Sequence, residues 1–94
     1  VSIRITHVRL APGYNDHEHI VRYRWVGIES GSSGESDKPA LVAWLEEASG
    51  NRAFVGSGNQ KVEVGVVHPS YGQPYVRTYA DNVWTNNLLS LDRF

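Results

Sequence analysis

Between Tyr75 and Leu89 the chain reads YVRTYADNVWTNNLL, and its aromatic, guanidinium and amide side chains recur at alternating positions. Asp81-Asn82 suits a two-residue hairpin loop, because both residue types tolerate positive φ. A bend there sets Ala80 opposite Val83, Tyr79 opposite Trp84, Thr78 opposite Thr85, Arg77 opposite Asn86 and Tyr75 opposite Leu88. Strand alternation then gathers Tyr75, Arg77, Tyr79, Trp84, Asn86 and Leu88 on one face, with Val76, Thr78, Ala80, Val83, Thr85 and Asn87 on the other. On the first face the rings could stack on a flat ligand, Arg77 could neutralise a phosphate or carboxylate, and Asn86 could read polar edges. The same residues also suit a cross-strand aromatic pair at the edge of a core, contributing about 0.2–1 kcal/mol. Equally, they suit a protein interface.

A second candidate lies in IVRYRWVGIE, where Val21, Tyr23 and Trp25 point one way and Arg22, Arg24 and Val26 the other. Two guanidinia about 7 Å apart on one side of a strand repel unless an anion, an acidic partner or water separates them. If this strand adjoined the hairpin, Arg22, Arg24 and Arg77 would together suit a phosphate-bearing ligand.

Other chemistry is weakly represented. Asp16, His17, Glu18 and His19 form DHEH, and His7 or His68 could complete a metal site, yet the H-E-x-x-H helical spacing is missing. No G-x-S-x-G elbow activates a serine, and GSSG reads as a flexible loop. Glu46 and Glu47 are adjacent on a helix and diverge by about 100°. GSG at Gly56–Gly58 is too short for a phosphate loop. No cofactor is implied, and the balance falls against an enzyme.

The elements that must position these residues belong to one domain, residues 1–94, since two cores would each be too small to fold unaided. A 40% hydrophobic content excludes disorder, and a net charge of −1 argues against a general nucleic-acid coat. The absence of cysteine removes disulfides, thiolate nucleophiles and cysteine-based zinc sites, and fits a cytoplasmic setting. No apolar run approaches the ~20 residues that span a bilayer, and no signal peptide is read ahead of the first strand.

Val1–Leu10 reads as a first strand and Ile20–Glu29 as a second, antiparallel to it, across the turn APGYNDHEH. SGSSGESD lacks an apolar anchor and reads as flexible. Ser36 or Asp37 caps a helix with Pro39 in its first turn, an apolar stripe of Leu41, Trp44, Leu45 and Ala48, and a left-handed stop at Gly50. Glu46 and Glu47 oppose the dipole at its end, so packing must hold this helix. RAFV, KVEVGVV and the two arms of the hairpin supply the remaining strands. The expected fold is α+β: a small antiparallel sheet of about five to six strands, order ββαββββ, with one helix packed on one face.

The opening ITHVRL, the histidine-bearing loop before RYRWV, the SGES turn, the LVAWLEEASG helix and the closing RTYADNVWTNNLLSL resemble the family of domain of unknown function 3892. The most specific part maps to Tyr79, Ala80, Asp81, Trp84, Thr85, Asn87, Leu88 and Leu89. Asn82 stands where that family commonly has glycine, and Asp92 where a proline often precedes the last residues; Asn82 still permits the left-handed turn. The resemblance implies a small bacterial or phage cytoplasmic domain and no particular activity.

Together these readings lead to a non-catalytic binding module that self-associates and sequesters a small anionic, nucleotide-like ligand through Tyr75, Arg77, Tyr79, Trp84 and Asn86, with Arg22 and Arg24 as a second group. The alternative is a protein-interaction or assembly module without a small ligand. A metal-dependent enzyme built on His17 and His19 is a third class.

Overall fold

The computed structural model describes residues 1–48, 50–56, 58, 61–80, 83–85 and 87–94, with only the backbone described at 80 and 83–85. Strand β1 (Ser2–Leu10) is the organising element. Its Ile3, Ile5 and Val8 are buried on the core side while Arg4, Thr6, His7 and Arg9 are not. The spacing from Ile5 to Val8 breaks strict alternation, and the register with β2 (Ile20–Gly27) shifts there: Ile5 faces Trp25 but His7 faces Arg24. A second shift, between Arg9↔Arg22 and Leu10↔Ile20, falls at Val21. Each bulge adds a residue to one strand and bends the ladder, so Ile5 with Val8, and Ile20 with Tyr23, all stay inside. Val21 is accordingly exposed rather than aligned with Tyr23 and Trp25.

After β2 the chain turns at Gly27–Ser32, where the Gly27 amide donates to Ser32 O at 2.6 Å and Gly31 adopts φ +72°. It then forms β3 (Ser33–Asp37), antiparallel to β2. This segment was expected to be flexible because it carries no apolar side chain, but its anchor belongs to β2. Gly34 lies directly opposite Trp25, and a Cβ built on Gly34 would stand 2.7 Å from Cζ2 of that indole. The indole Nε1 donates to Ser36 Oγ at 3.1 Å.

Helix α1 (Lys38–Glu47) follows at once. Asp37 caps it by accepting from the Ala40 amide at 2.9 Å, and Pro39 occupies the first turn, as the sequence indicates. Leu41 and Val42 are buried, with Trp44 and Leu45 packed against the core. The helix ends without a glycine stop. Ala48 is extended and exposed, and the Asn51 side chain donates to Trp44 O at 2.9 Å, satisfying a terminal carbonyl. Glu46, unfavourably placed for the dipole, is paired with His68 at 2.8 Å.

The helix carries the chain to the other edge of β1, where β4 (Arg52–Val55) runs parallel to it. Antiparallel strands β5 (Val62–Val67), β6 (Tyr75–Ala80) and β7 (Val83–Thr85) extend the sheet. The order is β3-β2-β1-β4-β5-β6-β7, and β8 (Asp92–Arg93) pairs in parallel with His7 and Val8 of β1. The α+β class with a helix against a sheet holds, but the sheet is mixed and counts eight strands among the described residues: α1 serves as a crossover to the parallel partner β4, and β8 also pairs in parallel with β1.

Thr78, fully buried, accepts the Asn87 amide through Oγ1 at 3.1 Å. This bond turns the chain out of the ladder into a 3-10 turn, Asn87–Ser90, so Leu88 enters the core rather than continuing a strand opposite Tyr75. Replacing Gly34 with alanine is expected to lower unfolding stability by about 1–3 kcal/mol in urea titration, since the added methyl must displace the Trp25 ring. An unchanged midpoint would show that the ring is not pressed against this backbone.

Candidate functional site

The register of β6 and β7 is the one the sequence indicates: Thr78↔Thr85, Tyr79↔Trp84 and Ala80↔Val83. Val76 and Thr78 face the core, so Tyr75, Arg77 and Tyr79 occupy the opposite, outer face of β6. Across β5 they meet Val67, Gly65 and Glu63 in turn. Gly65 presents no side chain opposite Arg77, while Glu63 is engaged by Arg52 at 3.5 Å. Trp84 is placed by its backbone register; the bend at Asp81 and Asn82, and Asn86 itself, lie outside the described residues.

Arg22 and Arg24 lie on the outer face of β2, separated from β6 by three intervening strands, roughly 19 Å along the sheet. The structure therefore presents two guanidinium groups of residues rather than one. An acidic partner separates the β2 pair: Glu35 of β3 approaches Arg22 Nε at 3.6 Å and Arg24 Nη2 at 3.5 Å through its two oxygens. All three side chains are about 40% exposed, so these long ion pairs contribute little to stability.

Three residues join this group: Arg9 and Phe94, which the sequence did not single out, and His7, which it offered only as a metal ligand. Arg9 faces Arg22 and His7 faces Arg24 across the β1–β2 ladder. Two guanidinia lie over the ring of Phe94, Arg9 at 4.7 Å and Arg24 at 4.4 Å from its centre, with His7 edge-on at 6.3 Å. Arg9 Nε also donates to Phe94 O at 2.8 Å. Strict alternation would set His7 and Arg9 with the buried Ile3 and Ile5, and only the bulge after Ile5 turns them outward; the return of β8 to β1, which delivers Phe94, had no local signal.

The four histidines diverge. His19 stacks on Tyr14 at 3.7 Å and contacts Asp16 at 2.5 Å, a bond that holds the Asp16 carboxyl below its ordinary range. His68 meets Glu46, and His7 Nδ1 shares a 2.8 Å hydrogen bond with Thr6 Oγ1. His17 lies in a 3-10 turn, His17–His19, and is buried. Burial, followed by the positive charge of Arg77, pushes its imidazole below the usual range and keeps it neutral. Among the described residues no three His, Cys, Asp or Glu side chains group as a metal site. Tyr23, fully buried, has its hydroxyl pushed well above the ordinary tyrosine range by desolvation.

A cavity of about 350 Å³ opens on the core side of the sheet's other end, walled by Trp25 and Trp44 with Ile3 and Leu41, and rimmed by Ser30, Ser32 and Ser36. The sequence shows both indoles but not their convergence, which depends on α1 crossing over β2 and β3.

Residues 4–92 match a family model described as a protein of unknown function, DUF3892. The chain belongs to the DUF3892 family. The resemblance carried by its closing residues is thus borne out, and this is a family of small bacterial and phage proteins. Comparison with curated proteins and with solved structures returned no match. No described helix is long and apolar enough to cross a membrane.

The state of His17 makes stability depend on pH. Its folded pKa lies below the unfolded value near 6.5, so the unfolded chain takes up a proton first and stability falls as pH drops below 6.5. Urea unfolding at pH 7.5 and 5.5 should show this loss in the native sequence and a reduced loss in His17→Gln. An equal pH dependence in both would contradict the assignment.

Proposed function

We propose that this DUF3892 domain is a non-catalytic module that binds a small anionic ligand bearing a flat ring, of nucleotide type, on the outer face of its sheet, and that it self-associates. The observation that carries this reading is the array on β1 and β2. Arg9 pairs with Arg22 across the ladder, Arg9 and Arg24 lie at the ring of Phe94, and Arg22 and Arg24 share a single carboxylate, Glu35, at 3.5–3.6 Å. A phosphate offers guanidinia shorter, bidentate hydrogen bonds than those loose pairs, and a ring can lie beside Phe94. Tyr75, Arg77, Tyr79, Trp84 and Asn86 form the second group in this proposal. There Gly65 brings no side chain of its own opposite Arg77, and the tyrosines flank that position on β6.

Isothermal titration with AMP, GMP, CMP and UMP tests the proposal. Arg24→Ala is expected to weaken binding by roughly tenfold or more, since charge-assisted hydrogen bonds are lost. Glu35→Gln should strengthen it by releasing both guanidinia, and Arg77→Ala reports on the second group. Absence of heat with all four nucleotides, or weaker binding in Glu35→Gln, would defeat the reading.

A protein-interaction or assembly role is favoured by a different observation: Tyr71 is 90% exposed and Tyr79 38%, and aromatic residues of this kind anchor interfaces. Sedimentation velocity of the native chain against Tyr71→Ala separates the two roles. Loss of an oligomer with nucleotide binding intact would favour assembly, whereas a monomer throughout would remove self-association from the proposal.

A further inference from the structure

The cavity between α1 and the β2–β3 hairpin has a chemistry unlike that of the outer face. Two indoles, Trp25 and Trp44, supply aromatic walls, and Ile3 and Leu41 supply the apolar floor. Its polar side chains are serine hydroxyls, no Asp, Glu, Lys or Arg side chain lines it, and the ammonium of the lining residue Val1 is engaged by Gly50 O at 3.1 Å. Ser36 Oγ accepts from the Trp25 indole at 3.1 Å, which leaves its own proton to give. Ser30 and Ser32 are joined Oγ to Oγ at 2.8 Å, so one donates to the other and a single hydroxyl proton remains. The rim therefore offers two O–H donors above an aromatic slot.

We infer that this cavity is a binding site for an uncharged, flat heteroaromatic molecule with acceptor atoms on its edge, a nucleobase or nucleoside. Flatness follows from the indole walls, on which a base stacks through its π face. An edge bearing ring nitrogens or carbonyl oxygens follows from the two donors. Charge is disfavoured because the lining side chains hold no counter-ion and an ion would lose its hydration on entering. A cavity of about 350 Å³ lies at the lower end of the range for small-molecule sites, which suits a one- or two-ring occupant rather than a larger cofactor. Trp25 fixes the geometry: the Gly34 backbone supports one side of its ring and Ser36 holds its nitrogen, so the wall is set before a ligand arrives.

Calorimetric titration of the full chain with adenosine, guanosine, cytidine and uridine tests this site separately from the anionic one. At least one nucleoside is expected to bind saturably at one per chain, with affinity changing less than about twofold between 50 and 500 mM NaCl, as an uncharged ligand requires. Trp44→Ala should weaken that binding roughly tenfold through loss of stacking. Ala40 is an exposed helix residue at the cavity mouth, so Ala40→Phe should fill the slot, keep the far-ultraviolet circular dichroism of the native chain and abolish binding. Absence of heat with all four nucleosides would overturn the proposal. So would a steep salt dependence, or undiminished binding in folded Ala40→Phe.

Discussion

The contact between the Trp25 indole and the bare backbone of Gly34 organises both faces of one end of this molecule. A side chain on Gly34 would meet Cζ2, Cη2 and Cε2 at 2.7, 3.0 and 3.2 Å, a pattern of distances that places the glycine over the face of the ring. Only glycine allows that approach. On the core side it holds the indole against β3 as a cavity wall, with Ser36 securing its nitrogen. On the outer side the same pairing fixes the register of β3, which delivers Glu35 between Arg22 and Arg24 and hands Asp37 to the helix as its cap. A segment of serines, glycines and acids thereby becomes an edge strand.

β1 plays the complementary role. It pairs with β2 along one edge, while its other edge is shared between β4 near the start and β8 near the end. The two bulges in the β1–β2 ladder curve the sheet around Val8, Ile20, Tyr23, Val76 and Leu88, all fully buried. Burial on this scale stabilises by about 1.5–3 kcal/mol per large apolar side chain, and it also imposes costs. The Tyr23 hydroxyl and His17 Nε2 are buried with no hydrogen-bond partner among the described residues. Each is desolvated without compensation, which explains why both are driven toward their neutral forms.

Much of this architecture was legible in the sequence where information is local. The Asp37 cap, Pro39 in the first turn, the β6–β7 register and the outward-facing Tyr75, Arg77 and Tyr79 all follow from residue type and period. What escaped was non-local. The parallel pairing of β4 and the delivery of Phe94 to Arg9 and Arg24 depend on distant chain returns, as in Arg4↔Phe54 and Arg9–Phe94 at 50 and 85 residues apart. Val21 was misaligned because a bulge has no compositional mark of its own here. β3 was missed because its anchoring side chain, Trp25, sits on another strand. For the sites, the arginine pair was visible as a problem in electrostatics, and the structure supplies the acidic partner that the problem required.

The two faces divide their chemistry, guanidinia and a phenyl ring outside, indoles and hydroxyls inside, and both depend on β3 being held by Trp25. Nuclear magnetic resonance reads that contact directly, because a proton over the face of an indole is shifted upfield by its ring current. The expected result is a Gly34 Hα resonance well upfield of the ordinary glycine position, returning to it in Trp25→Leu. A Gly34 Hα at the ordinary position in the native chain, unmoved by that substitution, would contradict the account.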